Sequence, residues 1–128
     1  MKKKLLLGLA GLLVGIQSAF ATTCPSAIAL PAAPTLPYTD ASIVCGGTND
    51  IDLGTSNYDN GFEAVYTWTP TSSYGNTIIS YSGVDYSAIF VYNGCPTSGG
   101  TLVTSQTGGF GLTSVTTAAF NVTAGVTY

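Results

Sequence analysis

The sequence predicts an all-β domain built from short strands in two stacked sheets, a sandwich or barrel. Three observations carry that reading. Short runs rich in Ile, Val, Thr, Tyr and Phe recur at about 8–12-residue spacing with turn residues between them. The stretch Asn60-Gly61-Phe62-Glu63-Ala64-Val65-Tyr66-Thr67-Trp68-Thr69-Pro70 alternates with the period of a pleated strand. Helical periodicity is confined to the first twenty residues.

Those first residues read as an address. Lys2, Lys3 and Lys4 form a basic n-region, Leu5 to Ile16 an apolar h-region, and Ala19-Phe20-Ala21 a small-residue cleavage site. The apolar run is shorter than the roughly 20 residues a membrane helix requires, and Gln17 and Ser18 follow it directly. Residues 1–21 are therefore expected to be a signal peptide cut after Ala21, placing the protein outside the cell or on its surface.

Cleavage removes every cation. The three lysines are the only basic residues, there is no His, and what remains carries Asp40, Asp50, Asp52, Asp59, Glu63 and Asp85. A chain without positive side chains cannot neutralise phosphates, which excludes direct nucleic-acid binding and disfavours anionic lipid surfaces. Apolar and aromatic residues are spread throughout, so the low charge does not imply disorder. The remaining length of about 107 residues suffices for one domain.

Residues 22–36 read as an extended leader, because Pro25, Pro31 and Pro34, with Pro37 just beyond, recur at intervals that a helix interior does not tolerate. The domain then runs over 37–128. Tyr38 to Val44 predicts a short strand, and Cys45 to Gly61 a long turn-rich loop of the kind that is functional or held by something else. In the central strand, Ala64, Tyr66 and Trp68 share one face, expected to look into the core, and Pro70 ends the ladder. Ser73-Tyr74-Gly75-Asn76 predicts a turn, Thr77 to Ser82 a strand, Gly83-Val84-Asp85 a turn and Ser87 to Tyr92 a strand that is apolar on both faces, hence central and buried. Asn93-Gly94-Cys95-Pro96 predicts a tight turn, with further strands over Thr101 to Ser105 and Val115 to Val122. A new strand begins at Val126-Thr127-Tyr128, so the fragment is expected to lack its closing strand.

The series Leu36-Pro37-Tyr38, Gly47-Thr48-Asn49-Asp50, Gly61 to Pro70, Ala88-Ile89-Phe90-Val91-Tyr92-Asn93-Gly94-Cys95-Pro96 and Ala124-Gly125-Val126-Thr127-Tyr128 resembles the bacterial pre-peptidase C-terminal domain family, in the form common in secreted Bacteroidetes proteins. The resemblance covers Leu36 to Tyr128. It implies an antiparallel jelly-roll-like β-sandwich that accompanies secreted peptidases and other surface proteins without being their catalytic part, with some relatives binding calcium or extracellular polymers. Where the family carries a second cysteine after the Gly-Cys-Pro turn, this chain has Leu102, and the usual final strand is absent.

Three groups of residues could carry chemistry. Cys24, Cys45 and Cys95 all lie beyond the signal segment, where an oxidising compartment permits disulfides. Cys24 with Cys45 is the expected pair, leaving Cys95 free or in need of a partner beyond Tyr128. A catalytic thiolate or a zinc site finds no supporting His, Lys or Arg. Asp50, Asp52, Asp59 and Glu63 flank one loop together with Asn donors, a hard-oxygen set suited to calcium, although the spacing is not an EF-hand; the same acids also read as a solvated acidic loop. No other cofactor is indicated. Among the aromatic residues, Tyr58, Tyr74 and Tyr86 fall in expected loops and are candidates for an exposed ligand-stacking platform.

Three functions remain in view. The first is a non-catalytic accessory or binding module of a larger secreted or cell-surface protein, its partners an extracellular polymer or protein and downstream domains. The second is a calcium-dependent adhesion or carbohydrate-binding module. The third is the N-terminal part of a secreted peptidase or hydrolase whose catalytic residues lie downstream; this fragment itself holds no catalytic set.

Overall fold

The structure, a computed structural model, describes residues 27–41, Tyr58 and residues 63–128. The signal segment, Cys24, Cys45, the stretch 42–44 and most of the acidic loop lie outside the described residues. Within them the chain is all strand and turn, with one 3-10 turn at Pro96–Ser98 as the sole helical element among the described residues.

Eight strands form four two-stranded ladders. The first is parallel: β1 (Ile28–Ala29) runs beside β2 (Tyr66–Thr67). The other three are antiparallel and nested. β3 (Tyr74–Thr77) pairs with β8 (Phe120–Val122), β4 (Ser80–Ser82) with β7 (Ser114–Thr116), and β5 (Ala88–Asn93) with β6 (Thr101–Thr107). Partners run inward from Tyr74↔Val122 through Ser80↔Thr116 and Ala88↔Thr107 to Asn93↔Thr101. They are three stretches of one long two-stranded ribbon, interrupted twice and closed by the tip at 94–100.

Thr117 bridges the first interruption. Its amide donates to the Ile79 carbonyl at 2.9 Å, and its hydroxyl accepts the Ile79 amide at 3.2 Å, standing in for a ladder carbonyl. This explains why Thr77 to Ser82, read as one strand, is split, and why Val115 to Val122 is split opposite it. A hydroxyl satisfies the amide where the backbone bends away, and Thr117 is itself 4% exposed.

The core takes one residue from each stretch of ribbon: Val91 from β5, Val115 from β7 and Val122 from β8, joined by Cys95 and the fully buried Pro70. Burying a valine contributes about 1.5–3 kcal/mol, so each stretch is held chiefly by its single inward residue. The expected central strand over Ser87–Tyr92 forms, but it is mostly half-buried, with Val91 its one fully buried member. β6 covers one of its edges, and most of the β6 side chains face solvent.

The leader joins the fold instead of standing apart. Ile28 and Leu30 donate to the carbonyls of Val65 and Thr67, both at 2.8 Å, and Thr71 donates to Ala32 at 3.0 Å. Prolines at 31 and 34 are compatible with this because an edge segment needs only alternate amides. On the other side of β2, Gly125 donates to Pro70 and Tyr128 exchanges bonds with Trp68, while Gly94 donates to the Thr127 carbonyl at 2.9 Å. Residues 28–32, β2, residues 125–128 and the root of the tip therefore stand side by side.

Candidate functional site

The end of the leader, Trp68 just after β2, and β3 line an open groove of about 440 Å³. Trp68 and Tyr74 meet there with ring centroids 5.7 Å apart and planes tilted by 30°, a favourable offset pairing. Leu36 and Pro37 wall one side, the peptide between them being cis, and Gly75, Asn76, Thr77 and Ile78 complete the lining. Leu36 and Ile78 are exposed apolar residues of this lining. Among the described residues no charged side chain lines the groove.

Local sequence explains its shape. Asn76 adopts a left-handed backbone (φ 54), a conformation Asn tolerates better than most residues, and the β3–β8 register shifts between Tyr74 and Thr77. Asn121 Oδ1 accepts the Asn76 amide at 3.3 Å and holds the irregularity in place. The turn chemistry of Ser73 to Asn76 is therefore realised as a bulge inside a strand, a feature that re-aims neighbouring side chains. The leader is fastened just past Pro37, where the Tyr66 hydroxyl donates to Asp40 Oδ2 at 3.1 Å.

Trp68 was expected in the core. It is half-buried in the groove, and its indole Nε1 is buried with no hydrogen-bond partner among the described residues. Such an orphaned donor costs about 1–3 kcal/mol in desolvation. The flanking residues follow the same pattern: Tyr66 is half-buried and Ala64 exposed, so the alternating face meets a shallow surface where a deep core was expected. Pro70, read only as a strand terminator, is the most deeply enclosed residue of the segment.

Of the three candidate tyrosines, Tyr74 alone lies in the groove. Tyr58 is no free platform: it is half-buried and its hydroxyl donates to the Gly108 carbonyl. Tyr86 is 59% exposed and stacks on Phe110 at 6.3 Å, with a left-handed backbone (φ 56) that is rare for a large side chain. Its amide donates to Gly109, so Tyr58 and Tyr86 both meet the Gly108–Gly109 turn, apart from Tyr74. Leu36, Pro37 and Asn76 were not foreseen as groove residues; the Leu36-Pro37 pair directly before Tyr38 was the one available signal.

Glu63 is the one member of the set Asp50, Asp52, Asp59 and Glu63 among the described residues, and it is half-buried. Among the described residues no three His, Cys, Asp or Glu side chains converge.

Cys95 is 3% exposed and disulfide-bonded, which corrects the expectation that it is free or paired beyond Tyr128. Its partner is not among the described residues, and the expected pair is Cys24 with Cys45. Both lie outside the described residues. A disulfide sulfur has no proton, so at the 3.2 Å contact between Cys95 Sγ and Thr97 Oγ1 the threonine hydroxyl is the donor.

Comparison with known proteins returned no match to any protein-family model, any curated protein or any solved structure.

Proposed function

We propose that the chain is a non-catalytic binding module of an exported protein and that the groove over Trp68 and Tyr74 takes an uncharged extracellular polymer of the carbohydrate class. The observation that carries this reading is the aromatic pair set in an open groove with Asn76 and Thr77 at its edge and no charge among the described residues of its lining. Aromatic faces attract the apolar face of a sugar ring, polar edges read its hydroxyls, and the missing cations disfavour acidic ligands. The nested ribbon is the arrangement from which a jelly-roll-like sandwich of the pre-peptidase C-terminal kind is made by curling, and export by the Lys2-to-Ala21 segment would deliver the module to such polymers.

Trp68 is the sole tryptophan, so its emission reports on the groove directly. Titration with neutral oligosaccharides of β-glucan, chitin and mannan type should shift that emission, with a dissociation constant of about 0.1–1 mM for a shallow site. Tyr74→Ala should weaken binding while leaving the circular dichroism unchanged. A folded protein whose emission is unmoved by every neutral polymer, and which no insoluble polysaccharide retains, would end this reading.

A further inference from the structure

β6 is the longest strand among the described residues, and six of its seven residues are exposed. It pairs with β5 on one side. Among the described residues, no hydrogen bond from another element reaches its other edge. Gly108 donates to the Ser87 carbonyl at 2.7 Å, which by antiparallel alternation makes Ile89–Gln106 and Val91–Thr104 the bonded pairs. The amides and carbonyls of Ser105 and Thr107 therefore point outward. Thr107 presents its carbonyl to its neighbour's own side chain, Gln106 Nε2, at 3.2 Å.

Edges of this kind are normally blunted by Lys, by Pro, by shortness or by a bulge. Thr101-Leu102-Val103-Thr104-Ser105-Gln106-Thr107 contains no charge and no proline, and Leu102 and Val103 are 49% and 39% exposed. The one irregularity is the register shift between Val91 and Tyr92, which gives β6 an extra residue at Val103 and leaves Thr104 to Thr107 regular. By contrast, β3, β4, β7 and β8 have three or four residues each, and β2 is flanked on both sides.

We propose that the β6 edge is the surface on which two copies of this chain associate, β6 against β6, antiparallel and centred on Ser105. In that arrangement Ser105 exchanges both backbone bonds with its counterpart, and Thr107 of each chain meets Val103 of the other. Identical edges related by a two-fold axis satisfy both rows of outward groups at once. Electrostatics favour a second copy at this place. After Ala21 the chain carries six acids and no cation, so copies repel wherever acids are exposed; β6 contributes no charge, and Asp85, in the β4–β5 loop, is half-buried.

The test is light scattering of the purified chain across a concentration series, with free thiol alkylated so that covalent dimers are not counted. Amide hydrogen exchange on β6 is followed in parallel. The expected result is a dimer whose Ser105 and Thr107 amides gain protection as concentration rises. Ser105→Lys, which an exposed edge accommodates, should weaken association by at least about tenfold with unchanged circular dichroism. Phe110→Ser, in the other exposed apolar surface, should leave association unaltered. A monomer at all concentrations overturns the proposal, and so does a dimer with fully exchanging β6 amides or one that Phe110→Ser disrupts and Ser105→Lys does not.

Discussion

Trp68 and Tyr128, 60 positions apart in the chain, exchange backbone hydrogen bonds in both directions, at 2.9 and 2.8 Å. The same terminal segment accepts from Gly94 through Thr127, and the Tyr128 hydroxyl accepts the Thr123 amide at 2.9 Å. Three parts of the fold meet there: the groove strand, the tip of the ribbon and the last residues.

Removing residues 126–128 should therefore loosen the groove as well as the terminus. Five hydrogen bonds of Thr127 and Tyr128 to described residues are lost, at about 1 kcal/mol each before relaxation, so the melting temperature should fall and Trp68 emission should move to the red. Unchanged emission from the shortened chain would show that the terminal residues do not support the groove.

Thr117→Val keeps the volume and removes the hydroxyl that receives the Ile79 amide. The amide is left without an acceptor at a part-buried site, and the expected loss is about 1–3 kcal/mol in urea unfolding. Thr117→Ser retains the acceptor and should recover most of it. Equal stability of the Val and Ser variants would mean that the side chain does not hold the bend.

Gly100 cannot take a side chain where it stands. A Cβ there would lie 2.4 Å from the Gly94 carbonyl oxygen and 2.7 Å from the Cys95 carbonyl carbon, both backbone atoms, while its amide donates to Cys95 at 2.8 Å. Gly100→Ala should cost about 1–3 kcal/mol by forcing the tip apart. Gly99→Ala meets no atom but is strained by its left-handed backbone (φ 88), and a cost of about 1 kcal/mol is expected there. Thermal melts of the two variants, compared side by side, check the order.

Cys95, at the root of the tip, is disulfide-bonded. Reduction of the bridge, or Cys95→Ser, should lower stability by about 2–5 kcal/mol, because the unfolded chain regains a large loop. Non-reducing peptide mapping should recover Cys95 linked to Cys24 or Cys45. Recovery of a Cys24–Cys45 peptide instead would remove the tip anchor.

Composition and period made the strands around β5 and β6 legible, while the strand expected at Val126-Thr127-Tyr128 is an irregular segment. Ala88 to Asn93 is apolar, β-branched and bounded by turn residues, so its local preference and its fate agree. Legibility failed where a polar side chain replaces a backbone partner. Neither Thr117 nor Asn121 differs in sequence from any other strand residue, yet each accepts a main-chain amide at a bend or a bulge. The groove was hidden for a similar reason. Leu36 and Pro37 are remote from Trp68 along the chain, and the single tryptophan of an alternating strand reads as core until the surface above it is known.

The amino-acid order alone determined the strand-rich class, the basic first residues followed by a cation-free remainder, and the places where the chain must turn, since all of these follow from short-range sterics, hydropathy and charge count. Tertiary structure decided the nesting of the ribbon, the entry of the leader into the β2 ladder and the position of Trp68 beside Tyr74. Each of these depends on which distant segment arrives to satisfy a given edge, and an extended strand offers the same row of amides and carbonyls to every candidate partner.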